Sequence, residues 1–338
     1  MSIDYRILSS EELNSKFILA CRSGDIQIVR HLLTSNPIKE YVQNFSNLNN
    51  GLMEACREGK LEIVKYLLIS PSLKIHADIH TENDNALKLA CEYGHFHIVK
   101  YLLTSEDLNE HSNVEANNCD AFMMACYGGH LNIVKYLLTS KEIPKNVELD
   151  CHDNEAFKLA CLSGNLKTVK YLCESKELSK HADITAENNF GFKKACFYGF
   201  LPIVKYLLTS PKLNQKIDIL EDDCDALRYA CERGEVEVVK YLMNSPKLKI
   251  KPNIHAKNDY GFIWACENEH LDLVEYLIFE LNIRKTNYID EYLETSYINE
   301  KIYKWFDMRN LNIQIQEELE VNEDDKSSGG RSGKINKV

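Results

Sequence analysis

Apolar and polar residues along this chain follow one pattern that occurs eight times. The clearest copy, residues 86–104, has the sequence ALKLACEYGHFHIVKYLLT, in which two short apolar segments with helical spacing flank a glycine. Each copy carries an Ala-Cys pair, and successive pairs are 35 residues apart. The pairs are Ala20-Cys21, Ala55-Cys56, Ala90-Cys91, Ala125-Cys126, Ala160-Cys161, Ala195-Cys196, Ala230-Cys231 and Ala265-Cys266. A fixed period of this length predicts an array of stacked supersecondary units.

Each copy is predicted to form two antiparallel helices joined by a tight turn. In the third copy, the first helix is predicted over Asn85 to Tyr93 and the second over His95 to Leu103. Gly94 lies between them, where a left-handed residue commonly ends a helix and glycine has no Cβ penalty. The equivalent residues are Gly24, Gly59, Gly129, Gly164, Gly199 and Gly234, with Glu269 in the eighth copy. We therefore expect the eighth copy to be less regular.

The stretch between copies is predicted to be an extended loop that forms a short hairpin or a turn. One apolar residue in each loop is expected to project into the core; these residues are Ile79, Val114, Leu149, Ile184, Ile219 and Ile254. An Asn or Asp follows just before the next helix, at Asn83, Asn118, Asp153, Asn188, Asp223 and Asn258. Because Asn and Asp tolerate left-handed and turn conformations, we expect a turn at each of these positions.

The two ends of the array depart from the repeat. The predicted division is residues 1–13 as an N-terminal cap, 14–284 as the eight-copy array, 285–320 as C-terminal capping helices and 321–338 as a disordered tail. Ser9 or Ser10, followed by Glu12, forms a helix-capping signal in the first segment. The last segment is polar and rich in Gly and Ser, which is typical of disorder.

Composition limits which classes of partner the protein can bind and indicates the cellular compartment in which it is found. The net charge is −11, which argues against nucleic acid or an anionic membrane because both require clustered Lys and Arg. The chain contains twelve cysteines. Stacked helices lie about 8–10 Å apart, whereas a disulfide requires Cα atoms within about 7 Å. Equivalent cysteines of successive copies are therefore too far apart to form disulfides. Free thiols indicate a reducing compartment, and neither a signal peptide nor a run of 18 apolar residues occurs. We therefore expect a cytoplasmic protein, in a host cell if it is an effector.

The sequence contains no convergent set of residues that predicts catalysis, a cofactor or a metal ion. Asp222 and Asp223 form an acidic turn, and a solvated turn is a simpler interpretation of them than a cation site. Six lysines recur on the second helix and are interpreted as a hydrated outer face; they are Lys65, Lys100, Lys135, Lys170, Lys205 and Lys240. We expect a protein that is not an enzyme and that binds no cofactor or metal.

The repeat resembles the ankyrin repeat. The residues that carry the resemblance are Ala125-Cys126, Gly129-His130-Leu131, Ile133-Val134 and Leu137-Leu138, with the segment HADIH at 76–80. The period is 35 where the family has about 33, and sequences such as Asn85-Ala86-Leu87-Lys88 replace the family's Thr-Pro-Leu-His segment. The resemblance implies an all-α fold, an α-solenoid of about eight helix-turn-helix repeats with a C-terminal helical cap. The abundance of Lys, Asn, Ile and Tyr is similar to that of ankyrin proteins from large DNA viruses, phages and intracellular bacteria.

The resemblance also implies that a protein partner binds the concave side of the stack. The two residues before each terminating glycine vary between copies while their neighbours hardly change, which indicates freedom from packing constraints. Tyr, Trp and Arg dominate binding hot spots. The candidate partner-binding residues are Arg57, Tyr93, Tyr127, Phe197, Tyr198, Tyr229, Arg233 and Trp264. An alternative for Phe197, Phe200 and Trp264 is that they pack between repeats.

Two hypotheses of function follow from these observations. The first is a monomeric, non-enzymatic scaffold that binds one macromolecular partner and inhibits or sequesters a host factor. The second is an adaptor, in which the repeats select a target and the C-terminal helices recruit cellular machinery such as a ubiquitin ligase. Neither hypothesis requires nucleic acid or a membrane as partner.

Overall fold

The computed structural model of the protein describes residues 8–36, 38–295 and 299–328. Regular structure within these ranges is entirely α-helical, so the loops between copies form turns and not hairpins. The helices are α1 (Ser10–Ser23), α2 (Ile26–Thr34), α3 (Lys39–Val42), α4 (Phe45–Arg57), α5 (Leu61–Ile69), α6 (Thr81–Glu92), α7 (Phe96–Thr104), α8 (Ala116–Gly128), α9 (Leu131–Thr139), α10 (Glu155–Leu162), α11 (Leu166–Glu174), α12 (Ala186–Phe197), α13 (Leu201–Thr209), α14 (Glu221–Glu232), α15 (Val236–Asn244), α16 (Ala256–Glu267), α17 (Leu271–Phe279), α18 (Asn287–Thr295) and α19 (Asn299–Ser328). The predicted all-α solenoid of helix-turn-helix repeats is confirmed.

The chain divides into two compact units. The first comprises the chain up to Ala195 together with Pro202–Ile217, and the second comprises Cys196–Leu201 together with the chain from Asp218 onward. In the first unit the first helices of successive copies pack side by side, in the order α1, α4, α6, α8 and α10. In the second unit α14 packs against α16, and α16 packs against α18. The core of each unit therefore lies between neighbouring helix pairs.

A glycine with a left-handed backbone ends the first helix of the first seven copies, as predicted. Gly59 has φ +73°, and a Cβ built on it would lie 2.6 Å from Nδ1 of His95 in the next copy. Two features therefore favour glycine here: the left-handed backbone angle and the closeness of the His95 side chain. Glu269 takes the equivalent place in the eighth copy with φ 58°. No further repeat follows this copy, so no side chain of a next copy requires glycine at this position.

A left-handed turn of three residues precedes the first helix of the third to eighth copies. In the third copy Glu82, Asn83 and Asp84 have φ values of 51°, 57° and 60°, so regular α-helix begins at Asn85. The turns expected at the recurring Asn and Asp positions are thus present. Asp84 Oδ1 accepts a hydrogen bond from the backbone N–H of Asn113 at 3.0 Å, which links this turn to the loop of the next copy.

The repeat cysteines and the inward-pointing loop residues belong to the core. Five of the six predicted loop residues are buried, and Ile254 is half-buried. All twelve cysteines are free thiols, and all except Cys151 are buried. Burial raises the pKa of the Cys56 and Cys91 thiols well above the ordinary range, which keeps them protonated and unreactive.

The first helix begins earlier than the predicted boundary at residue 14. Helix α1 starts at Ser10 and is capped by Ser9. The Ser9 hydroxyl accepts a hydrogen bond from the backbone N–H of Glu12 at 3.2 Å. In return, the Glu12 carboxylate accepts a hydrogen bond from the backbone N–H of Ser9 at 2.8 Å. Leu13 is buried in the core. Residues 10–13 therefore belong to the first helix of the array, since the capping box fixes where that helix starts.

Two helices follow the eighth copy. In α18 and α19, Ile289, Leu293, Ile302 and Phe306 are buried, and the Phe306 ring lies 5.9 Å from the ring of Phe262 in α16. Helix α19 continues to Ser328, beyond the predicted boundary at residue 320, because no Gly or Pro occurs between 299 and 328 to end it. Residues 329–338 of the predicted tail lie outside the described residues. None of the described helices is both long and apolar enough to cross a membrane.

Candidate functional site

The variable face consists of the two residues that precede the end of each first helix. Its backbone is fixed by a side chain from the following copy: His95 Nε2 donates to the carbonyl oxygen of Arg57 at 2.7 Å, and His130 Nε2 donates to that of Glu92 at 2.8 Å. The same bond recurs as Asn165 to Tyr127 at 2.7 Å and His270 to Glu232 at 2.9 Å. Since the carbonyl makes this contact, the side chain at the same residue can vary without disturbing the stack.

Three predicted residues lie on the variable face of the first unit. Arg57 forms an ion pair with Glu54 at 2.5 Å, and Glu54 also pairs with Arg22 at 3.0 Å, so Arg57 is engaged within the array. Tyr93 and Tyr127 are exposed. Among the described residues, no ring contact joins Tyr93 to Tyr127, and the ion-pair partner of Arg57 is Glu54.

Four other predicted residues come together in the second unit, with one more ring. The Phe197 ring packs edge-on against Tyr198 at 4.9 Å and against Tyr229 at 6.1 Å, and the Arg233 guanidinium lies 5.2 Å from its centroid. Tyr198 stacks on Phe200 at 6.1 Å. We call these five residues the aromatic group. Tyr198 and Arg233 are exposed, while the other three are half-buried, so the group presents a formed surface to solvent.

Trp264 belongs to a second group in the same unit. Its ring lies 5.6 Å from that of the exposed Tyr260 and 5.5 Å from the Arg228 guanidinium. Arg228 is buried, pairs with Asp225, and donates to the backbone carbonyls of Asp222 and Asp223 at 3.3 Å. Arg228 therefore stabilises the acidic turn at Asp222 and Asp223. Among the described residues, no group of three or more His, Cys, Asp or Glu is placed to hold a metal ion.

The alternative that Phe197, Phe200 and Trp264 pack between repeats accounts for the buried part of each ring. Phe197 contacts Tyr229 of the next copy, and all three residues are half-buried. Each also keeps part of its surface open to solvent. These rings therefore support the stack and contribute apolar area to the variable face.

Sequence reasoning missed Tyr260 and Arg228 as members of these groups. Phe200, which the sequence did single out, follows the terminating glycine at a position where every other copy has Asp, Lys, His, Asn or Glu. The contacts of Arg228 with the turn at 222–225 carry no sequence signal, because they depend on how the left-handed turn folds back over the helix.

The recurring lysines lie over aromatic rings of the following copy. Lys135 Nζ is 5.0 Å from the centroid of the Tyr171 ring. Equivalent pairs are Lys65 with Tyr101, Lys170 with Tyr206 and Lys240 with Tyr276. Lys100 instead pairs with Glu142 at 2.9 Å. The lysine row is therefore only partly the hydrated face that the sequence predicted, since it also joins neighbouring copies.

Glu235 is an electrostatic exception beside the aromatic group. It follows Gly234 in the place that His95, His130 and His270 occupy in other copies, and its carboxylate lies against Gly199. Burial raises the pKa of this carboxyl, and the charges of Arg233 and His270 partly oppose that change.

Comparison with known families agrees with the repeat geometry. A family model described as ankyrin repeats (3 copies) matches residues 17–112, 104–188 and 192–288, well over half of the chain. No curated protein matches the chain. Ankyrin repeats are generic protein–protein interaction modules, and this chain belongs to the ankyrin repeat family.

Proposed function

We propose that this protein is a non-enzymatic scaffold that binds one protein partner through the aromatic group of its second unit. The partner would be a host factor that the protein inhibits or sequesters, and binding would take place in the cytoplasm. The observation that carries the proposal is the assembly of Phe197, Tyr198, Tyr229 and Arg233 into one partly exposed surface.

The composition of this surface favours protein binding. Tyr and Arg are enriched among residues that dominate interface energetics. A Tyr loses little conformational entropy on binding, and Tyr198 is already held between Phe197 and Phe200. Arg233 is placed by its contact with Phe197, so its guanidinium can meet a carboxylate or an aromatic ring of the partner.

Affinity capture tests the proposal. The full-length protein, immobilised, is incubated with extract of its native host cells, and bound proteins are quantified by mass spectrometry. We expect Phe197→Ala with Tyr198→Ala to lose one specific partner, because both rings leave the surface. The matched control is Tyr41→Ala, which removes an exposed tyrosine outside the variable face.

A second pair of variants separates lost binding from lost folding. Tyr198→Ala and Arg233→Glu each alter an exposed side chain, and we expect both to weaken capture at least tenfold while the circular-dichroism melt stays close to that of the wild type. Undiminished capture by all of these variants would mean that the partner binds elsewhere.

A further inference from the structure

Two cysteines outside the Ala-Cys pairs lie side by side where the fourth copy meets the fifth. Cys119 ends the left-handed turn before the first helix of the fourth copy and has φ 66°. Cys151 lies in the loop that leads to the fifth copy, and the two thiols form a hydrogen bond. Cys119 is 6% exposed and Cys151 is half-buried, so a molecule in solution reaches the pair through Cys151.

The contact follows from the geometry of the repeat. In other copies the last residue of the same turn contacts the loop of the next copy, 29 residues further along the chain. The backbone N–H of Asp183 donates to Oδ1 of Asn154 at 3.0 Å, and that of Asn253 donates to Sγ of Cys224 at 3.4 Å. A side chain at this position of the turn is therefore held against the following loop.

In the fourth copy the same geometry brings Cys119 to the loop that contains Cys151. Glu148 takes the place of Asp183 and Asn253 in this loop. The carbonyl oxygen of Glu148 accepts a hydrogen bond from the backbone N–H of Cys151 at 3.2 Å, which folds Cys151 back toward the turn. The two cysteines occupy different positions of the repeat, so the helix spacing that separates equivalent cysteines does not apply to them.

The other copies do not place two thiols at this junction. At the position of Cys119 they have Asp84, Asn154, Asn189, Cys224 and Asp259. At the position of Cys151 they have Thr81, Ala116, Ala186, Glu221 and Ala256. Cys224, the second cysteine at the turn, thus has Ala256 opposite it. The chain therefore contains a matched site that has one thiol of the pair and lacks the other.

We propose that Cys119 and Cys151 form a redox-active dithiol that closes to a disulfide in the presence of a small-molecule disulfide such as oxidised glutathione. The Cys151 sulfur attacks one sulfur of the oxidant, forming a mixed disulfide and releasing one glutathione. The Cys119 sulfur then attacks the Cys151 sulfur and expels the second glutathione. The protein loses two electrons and two thiol protons, and both end on the two glutathione thiols that are released.

The surroundings of the two thiols determine how fast this exchange runs. Burial raises the pKa of both thiols. The charged groups near them are Glu115, Lys145, Glu148 and Asp150, of which the carboxylates add to this change and Lys145 opposes it at Cys119. Few of the thiols are ionised near neutral pH, so the disulfide forms slowly. Both sulfurs are also poor leaving groups, so the disulfide is reduced slowly once formed. The pair therefore responds to sustained oxidation.

Mass spectrometry of the full-length protein after incubation with oxidised glutathione tests the proposal. We expect the wild type to lose two alkylatable thiols and to yield a cross-linked peptide that contains Cys119 and Cys151. A protease that cleaves at aspartate separates Cys119 from Cys126, because Asp120 lies between them. A bond to Cys126, which also lies near Cys151, would overturn the proposal.

Three variants test the role of each thiol. Cys119→Asn introduces the residue that other copies have at this left-handed position, and its Cys151 should stop at the mixed disulfide with glutathione. Cys151→Ala introduces the residue that Ala256 represents, and it should form neither product. Ala256→Cys places a thiol opposite Cys224 and should form a second disulfide. Cys224 of the wild type is the matched control and should remain a free thiol.

The pH dependence and the stability of the product provide a second readout. The rate of cross-linking should rise about tenfold per pH unit near neutral pH, because the ionised fraction of each thiol rises by that factor. The disulfide joins two copies and constrains the unfolded chain, so it should raise the urea midpoint of the wild type until dithiothreitol reduces it.

Two results would overturn the proposal. One is a wild-type protein in which Cys151 stops at the glutathione adduct, as expected only for Cys119→Asn. The other is a cross-link that forms only after urea is added, because the thiols would then meet in the unfolded chain and not in the stack.

Discussion

At the scale of single residues, the position after each terminating glycine decides how firmly two copies are joined. His95 and Asn165 donate hydrogen bonds there to a carbonyl of the preceding copy. Glu235 occupies the same position, and an ionised carboxylate has no proton to donate. The raised pKa of Glu235 reflects its burial without a matching donor. This contact is therefore a weak point of the second unit near neutral pH.

We predict that Glu235→Gln stabilises the protein at neutral pH. A glutamine amide can donate as Asn165 does, and one such hydrogen bond contributes about 1 kcal/mol to the free energy of unfolding. Because folding raises the pKa of Glu235, the stability contributed by this carboxyl is fully present below its unfolded value of 4.5 and is lost as pH rises through the folded pKa. The advantage of Gln should therefore shrink as pH falls to 4.5.

Urea unfolding at several pH values measures this difference. Glu267→Gln, at an exposed carboxylate, serves as the control and should change little at any pH. An equal gain for both variants would assign the effect to net charge and not to the contact at Gly199.

At the scale of elements, periodicity predicted the helix pairs and their terminating glycines because each depends on neighbours in the sequence. The Asn or Asp that recurs before the first helix, such as Asn83, likewise predicted a turn, because the preference of these residues for left-handed backbone angles does not depend on distant contacts. The carbonyl contact between His95 and Arg57 could not be predicted, because its partners are 38 residues apart and meet only when copies stack. The aromatic group was predicted in part: variation between copies selected Phe197 and Tyr198, but their edge-on packing depends on side-chain rotamers.

We predict opposite outcomes for two substitutions at the terminating position. Gly59→Ala should lower the free energy of unfolding by about 1–3 kcal/mol, because its left-handed backbone and the nearby His95 both disfavour a Cβ. Glu269→Gly should be neutral or stabilising, since it relieves the left-handed backbone of a non-glycine residue.

Chemical denaturation of both variants measures this contrast. A Gly59→Ala protein as stable as the wild type would show that the helix end can rearrange around the new methyl group.

At the scale of the whole molecule, stability in a stack is a sum of contributions between neighbours. Helices α18 and α19 cover the last copy, and Phe306 packs on Phe262 there. We predict that Phe306→Ala costs about 3–5 kcal/mol locally, because it leaves a cavity among buried apolar side chains. Hydrogen exchange should accelerate in α16, α17 and α18.

The same experiment contains its own control. Exchange in α1, α4 and α5, which belong to the first unit, should stay unchanged. Uniform acceleration along the chain would mean that the array unfolds as a single cooperative body.

The carbonyl contacts on the variable face also have a consequence for engineering. Each contact holds the main chain of a residue whose side chain takes no part in it, as at Tyr127 and Glu92. Binding specificity is thereby uncoupled from foldability at these positions. A combinatorial library that randomises only Arg57, Glu92, Tyr127 and Glu232, whose carbonyls make this contact, should consist largely of folded proteins that differ in the ligands they select.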